Sequence, residues 1–356
     1  MTTVHGLDQA KAEAFLERAL GDVGATATVL VASLADRAGL FRDLAANGPA
    51  TSSELARRTG TVERYVTEAM RQLASAGYVE RLPDGRYSLP AEHVPVLADE
   101  AGPMFMGGVM QMMPGAAAAL GDVLTAFREG GGAAQEAYGP DWWDGMERFT
   151  ASWFEHALLE EWIPRMPHVE ARLRQGALVA DVGCGAGGAL IKLAQAFPES
   201  RYVGYDLFEG QIERARAKAE AAGVGDRVTF EARDVVEGLP VAYDVITTFD
   251  VVHDAADPLG LLRAIRKGTA DDGSYVMLEI ACADRHEDNA GPLATLFYGF
   301  SVTYCMTTSL AAGGAGLGTC GMPPAKVREL GGQAGFGQVE QVPLDDPFNT
   351  LFELRP

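Results

Sequence analysis

Apolar positions early in the chain recur at helical spacing. Between residues 9 and 45, Phe15, Leu16 and Leu20 share one face, and Val29, Leu30, Leu34, Leu40 and Phe41 share another. That spacing predicts two helices. In "GPATSSELARRTG", Thr51 and Glu54 form a capping box that opens a short helix. Thr61 follows the Gly60 break and opens a longer helix, which Gly77 ends. "YVERL" and "RYSLP" are short strands around the turn "PDG". This order of helices and hairpin is that of a winged helix.

The character changes over residues 101–172. "MFMGGVMQMMPG" is rich in methionine, and "DWWDGMERFTASWFEHALLEEWIPRMP" holds all four tryptophans. These segments read as helices, either as core between domains or as an adaptable lining for an apolar ligand. From about Arg174, strands alternate with helices. The strands are "ALVADVG", "RYVGYDL", "RVTFEARD", "YDVITTFD" and "SYVMLEI"; the helices include "EGQIERARAKAEAAG" and "PLGLLRAIRKGT". That alternation predicts an α/β domain with a parallel sheet covered on both faces. It breaks after Ile280 for about forty residues. A helix, "PAKVRELGGQAG", and two strands, "GQVEQVPL" and "FNTLFELRP", close the chain. The predicted division is a winged-helix domain at 1–100, a helical connector and cap at 101–172, and the α/β domain at 173–356. A cap insertion falls at about 281–322.

Charge bounds the partners. The 356 residues carry a net charge of -20, which repels phosphate backbones unless basic residues concentrate somewhere. Residues 1–100 hold ten Lys and Arg against fourteen Asp and Glu. The recognition-helix position offers Arg64 and Arg71 but also Glu63 and Glu68. DNA affinity rests largely on phosphate neutralisation, so a structural or dimerisation role is expected in place of nucleic-acid binding. No run of 18 apolar residues is free of charge, so no membrane span is expected. The first twenty residues carry charges throughout and lack a secretory core. Cys184, Cys282, Cys305 and Cys320 are scattered without a C-x-x-C. That favours reduced thiols and a cytoplasmic location; Cys305 and Cys320 read as buried, small apolar residues.

The chemistry concentrates in "ADVGCGAGGALIKLA", Ala180 to Ala194. Gly183, Gly185 and Gly188 fit a dinucleotide fingerprint, whereas Gly183, Gly185 and Gly187 fit a different one. Asp181 lies two residues before the first glycine, where a carboxylate is unfavourable beside a pyrophosphate but suits a cationic ligand. Asp206 ends the next strand and Asp234 follows the third. This set resembles the class I S-adenosylmethionine-dependent methyltransferases. The resemblance implies that Asp181, Gly183, Gly185 and Gly187 form the cofactor loop, that Asp206 binds the ribose hydroxyls and that Asp234 meets the adenine amino group. The cofactor so implied is S-adenosylmethionine, with S-adenosylhomocysteine as product. The resemblance also implies a Rossmann-like seven-stranded methyltransferase domain, its last strand antiparallel, behind the winged helix and helical cap. The architecture is similar to that of bacterial small-molecule methyltransferases, including O-methyltransferases of natural-product pathways.

"FDVVHDAADP" follows the fourth α/β strand and places His253 at its carboxyl end. In plant and bacterial O-methyltransferases a His-Asp-Trp run supplies a general base there. His253 and Asp254 match it, and Ala255 departs from it. Three roles stay open for His253: general base, polar pocket residue or structural residue. Asp250 is expected to hold the loop. Met110, Trp153, His156 and Tyr298 are weaker acceptor-site candidates; His156 reads equally as a helix-interface histidine, and His286 as part of a solvated loop. No ligand spacing points to a metal. The leading expectation is O-methylation of a small, fairly hydrophobic metabolite by a two-fold homodimer joined through residues 1–100. The alternatives are C- or N-methylation on the same scaffold, or a transcription regulator that responds to S-adenosylmethionine.

Overall fold

The computed structural model describes residues 7–356; the first six residues of the expected 1–100 domain lie outside the described residues. The chain folds as two compact units. One holds the chain up to Gly115 and Pro140–Ser152, the other Ala116–Gly139 and Trp153–Pro356. The 101–172 stretch is therefore shared between them and is not a body of its own.

The first unit follows the winged-helix order: α1 (Gln9–Arg37), α2 (Leu40–Asn47), α3 (Ser52–Thr59), α4 (Glu63–Ser75), β1 (Glu80–Arg81) and β2 (Tyr87–Ser88). The short α5 (Val94–Leu97) and α6 (Gly107–Ala118) come next. The capping box is present. The Glu54 N–H donates to Thr51 Oγ1 at 3.2 Å, and the Thr51 N–H donates to Glu54 Oε2 at 2.8 Å. The expected cap at Thr61 is displaced by one residue. Val62 is the N-cap of α4, and the Thr61 hydroxyl bonds that of Thr59. Phe41, Leu55, Met70 and Leu73 are wholly buried in this unit's core.

The α1 face read from Phe15, Leu16 and Leu20 faces solvent: these residues are 69%, 67% and 70% exposed. Burial begins only at Thr28, where the opposite side of the helix meets the winged helix. By length and composition α1 is apolar enough to cross a membrane, the one such helix among the described residues. The charge-free criterion missed it because Asp22 and Asp36 interrupt the run.

In the second unit, α7 (Leu120–Glu129) is followed by α8 (Pro140–His156), which gives residues to both units, and by α9 (Pro167–Gln175). The alternating part is β3 (Leu178–Val182), α10 (Gly188–Ala196), β4 (Arg201–Asp206), α11 (Glu209–Ala221), β5 (Val228–Ala232), β6 (Tyr243–Phe249), α12 (Pro258–Gly268) and β7 (Thr269–Ile280). The insertion carries α13 (Gly291–Phe300), a π turn at Ser301–Cys305 and α14 (Met306–Ala311). Then come α15 (Pro324–Ala334), β8 (Gln338–Val342) and β9 (Asn349–Arg355).

The seven strands are ordered β5-β4-β3-β6-β7-β9-β8. Pairing is parallel from β5 to β7, and β9 runs antiparallel to both β7 and β8. This is the expected Rossmann-like sheet with its reversed last strand. Apolar clusters cover both faces, one with Leu173, Leu190 and Ile212, the other with Leu262, Ile265 and Phe352. Strand order reverses between β3 and β6. In such sheets the crevice beyond the carboxyl ends of those two strands is where ligands bind.

Candidate active site

The glycine loop leaves β3 at that crevice. Gly183 has φ +73°, and a Cβ there would lie 2.6 Å from a Val251 methyl. Gly187 has φ +79°, and a Cβ there would meet the Phe230 ring at 2.7 Å. Both positions need glycine for backbone conformation and for space. Gly185 has φ +50°, and no protein atom lies within 4 Å of where its Cβ would be, so its backbone is open to close approach. α10 starts at Gly188, which aims its first N–H groups at the same place.

Two carboxylates flank the loop. Asp206, the last residue of β4, accepts the Gly185 N–H at 2.9 Å and the Phe208 N–H at 3.0 Å. Burial raises its pKa, and those backbone donors work against the rise. Asp181 is 2% exposed and accepts the Thr247 hydroxyl at 2.7 Å. Burial pushes it up to about 7, against the Thr247 bond and with a smaller push from Asp206. Asp234 is different. It is exposed and caps the turn that follows β5, its carboxylate accepting the Val236 N–H at 2.9 Å. The structure thus brings Asp181, Gly183, Gly185, Gly187 and Asp206 together, with Asp234 at the end of the third strand.

His253 lies past the end of β6 and is 3% exposed. Its Nδ1 sits 2.7 Å from Oε2 of Glu279, a wholly buried residue next to the end of β7. The other Glu279 oxygen accepts the Val252 N–H at 2.8 Å. Burial disfavours a charge on His253, but the Glu279 carboxylate and the Cys305 thiol outweigh it and raise its pKa well above 6.5. Asp254, the partner named by the sequence, makes no direct bond to the imidazole among those observed; burial pushes its pKa up to about 6, against the pull of His253. Asp250 holds φ +56°, uncommon without glycine, and its Oδ1 is buried without a hydrogen bond. Burial and the nearby Glu279 raise its pKa well above the usual carboxylate value. Asp250, His253 and Glu279 bring one donor atom each within 4.8 Å of one another, a metal-sized grouping that sequence spacing did not show.

Glu279 is the residue the sequence reading missed. The available signal was a lone carboxylate inside the apolar run "SYVMLEI", since an acid buried in a strand needs a partner.

The weaker candidates separate. Trp153 packs on Phe348, ring centroids 6.3 Å apart, and Phe348 also meets Phe297 at 6.3 Å. Tyr298 is 39% exposed and its hydroxyl accepts from Asn289 at 3.3 Å. His156 is half-buried at the end of α8, and His286 is exposed. Met110 belongs to the core of the first unit, packed among its buried residues.

Residues 180–275 match the family described as Methyltransferase domain, and residues 25–99 match the Rv2258c-like winged HTH domain. The chain carries a methyltransferase domain. A similar protein is 27-O-demethylrifamycin SV methyltransferase of Amycolatopsis mediterranei (strain S699), 36% identical over 115 residues, 31% of this chain and 42% of that protein. Another is the ubiquinone biosynthesis O-methyltransferase of Pseudomonas syringae pv. tomato (strain ATCC BAA-871 / DC3000), 26% identical over 163 residues, 46% of this chain and 64% of that one. The chain thus spans less than two-thirds of the length of these two relatives. Among solved structures, PigF with SAH has a TM-score of 0.71 at 20% identity, covering 98% of this chain and 100% of that one. At that identity the likeness shows the fold alone.

Proposed function

We propose that the protein is an S-adenosylmethionine-dependent O-methyltransferase acting on a small, fairly hydrophobic metabolite, with His253 as general base. The observation that carries this reading is the buried His253–Glu279 pair, set beyond the same sheet edge as the glycine loop. Bound cofactor would supply an electrophilic methyl group on a sulfonium. The protein's residues supply the rest. The Gly185 backbone, the Asp206 carboxylate and Asp181 suit the amides, ribose and cationic end of such a ligand, with Asp234 toward the base. Glu279 fixes Nδ1–H of His253, which leaves Nε2 to accept the proton of an acceptor hydroxyl. Trp153, Phe297 and Phe348 give that side of the unit an aromatic wall suited to an apolar acceptor. The rest of the catalytic advantage is alignment of two bound reactants.

The two named relatives support O-methylation by likeness, and the SAH held by PigF supports the cofactor. The winged helix supports a scaffolding role. The α4 cations Arg64 and Arg71 both pair with Glu68, at 2.5 Å and 2.9 Å, and are not left for phosphates. The partner we propose for this unit is a second copy of the chain, and the setting a reducing cytoplasm. Two measurements test the reading. Calorimetry should show S-adenosylhomocysteine binding at micromolar levels with no comparable nicotinamide dinucleotide binding. Electrophoretic shift at low salt should show no retardation of random duplex; retardation would favour the regulator.

A further inference from the structure

Cys282 and Cys320 lie 38 residues apart in sequence, at opposite ends of the cap insertion, and meet in the fold. Cys282 sits two residues beyond β7 and three beyond Glu279. Cys320 precedes Met322, which is 2% exposed in the sheet's core cluster, and α15. The Cys282 thiol donates to the Cys320 carbonyl oxygen at 3.6 Å. That places the main chain of one cysteine beside the sulfur of the other, and the two side chains also touch, the approach from which a disulfide can close. Both residues are only half-buried, whereas Cys184 and Cys305 are buried. The pair therefore corrects the expectation of a buried, apolar Cys320.

We infer that Cys282 and Cys320 form a peroxide-sensitive dithiol, whose oxidation to a disulfide clips the cap insertion to the end of β7. The roles of the two thiols differ. The single Cys282 S–H points to the Cys320 carbonyl oxygen, which holds Cys282 as the thiol, while the neighbouring Cys282 side chain and His253 lower the Cys320 pKa against the effect of burial. Contact with the Cys320 side chain, together with burial, raises that of Cys282. Cys320 is thus the attacking sulfur. Its thiolate attacks one peroxide oxygen, the O–O bond breaks, and the departing hydroxide takes up a proton as water, leaving a sulfenic acid. The Cys282 sulfur then attacks the sulfenic sulfur, the S–O bond breaks, and a second water leaves with the Cys282 proton. Two thiols lose two electrons and two protons, and one hydrogen peroxide becomes two waters. The loop so closed contains α13, the π turn and α14, and with them Cys305 on the His253 side. A dithiol reductant reverses the bond.

The test uses the full chain with stoichiometric hydrogen peroxide. Thiol titration of the denatured protein should fall from the four free cysteines to two. Peptide mass spectrometry should join Cys282 to Cys320, and dithiothreitol should restore all four thiols. Hydrogen exchange over Gly291–Ala311 should slow in the oxidised form. Cys282→Ser should leave Cys320 trapped as a dimedone-reactive sulfenic acid, whereas Cys320→Ser should leave Cys282 unlabelled. Four surviving thiols, a bridge to Cys184 or Cys305, a bridge between chains, or unchanged exchange in the cap would each overturn the inference. Because none of these readouts involves methyl transfer, their failure is separate from failure of the proposed activity.

Discussion

Nδ1 of His253 lies 2.7 Å from Oε2 of Glu279, and both residues are buried. A wholly buried carboxylate is costly unless paired, and the imidazole is its partner. The pair holds the ring in one orientation and strengthens it as a base. With its pKa raised above the ordinary value by the Glu279 carboxylate, His253 keeps its proton to higher pH than an exposed histidine does. A base must be neutral, so turnover should climb with pH until His253 has lost its proton. The pair's contribution to stability runs the other way: full below the ordinary 6.5, it is lost as pH rises through the folded value.

His253→Ala should lower single-turnover methyl transfer by roughly a hundredfold or more, the usual scale for a lost general base. S-adenosylhomocysteine affinity should barely change. Glu279→Gln removes the charge that raises the histidine, so the rising limb of the pH–rate profile should move to lower pH. A His253→Ala variant within about threefold of wild type from pH 6 to 9 would demote the histidine to a pocket residue.

Asp181 gives a second pH signature. Its carboxyl titrates near 7 in the free protein. A cationic ligand favours the carboxylate, so binding at pH 6 should expel a proton, and affinity for S-adenosylmethionine should tighten as pH rises through 7. Stability of the free protein should do the reverse. The folded state keeps a proton that the unfolded chain has released, so this group's contribution falls between about 4 and 7. Thr247→Val removes the hydroxyl that supports the carboxylate and should shift proton release to higher pH. Calorimetry in two buffers of different ionisation enthalpy measures it; identical apparent enthalpies at pH 6 would exclude the linkage.

Asp206 serves the loop as well as any ligand, because its carboxylate accepts the Gly185 N–H. Asp206→Ala should weaken both S-adenosylmethionine and S-adenosylhomocysteine, and should also loosen residues 183–188. Asp206→Asn keeps an acceptor for Gly185 and should retain loop protection while still losing affinity. Equal affinity for wild type and Asp206→Asn would remove the ribose role from this residue.

The parts of this fold legible in the sequence were those with local causes. The capping box at Thr51, the strand ends at Asp181 and Asp206, and the positive-φ glycines of the loop are set by neighbours a few residues away. What stayed hidden depends on distant pairing. Glu279 meets His253 because β6 and β7 are adjacent in the sheet, and Cys282 meets Cys320 because the insertion folds back. The same limit applies to the start of α1. Periodicity shows that Phe15, Leu16 and Leu20 belong to an apolar face, but not which surface covers it.

That face supports a specific expectation about assembly. Leu16, Leu20, Val23, Ala27, Leu30 and Leu34 alternate four and three residues apart, the a/d spacing of a coiled-coil seam. All six are exposed, with Leu16, Leu20, Val23 and Leu34 each above 60%. A monomer rarely leaves so long an apolar strip in water. The membrane is a poorer host, because from Thr28 onward the opposite face of the same helix is buried in the winged helix. A second copy offers the same strip, and two-fold symmetry lets the two strips cover each other. Light scattering at micromolar concentration should give about twice the 37.7 kDa chain mass. Leu20→Lys with Leu30→Lys should shift the protein to that monomer mass, since each puts a charge into the seam, while the winged-helix core around Phe41, Leu55 and Met70 is untouched. Circular dichroism and thermal melting of the methyltransferase domain should remain near wild type. A wild-type mass near 37.7 kDa, or a double variant that stays dimeric, would show that α1 does not join two chains.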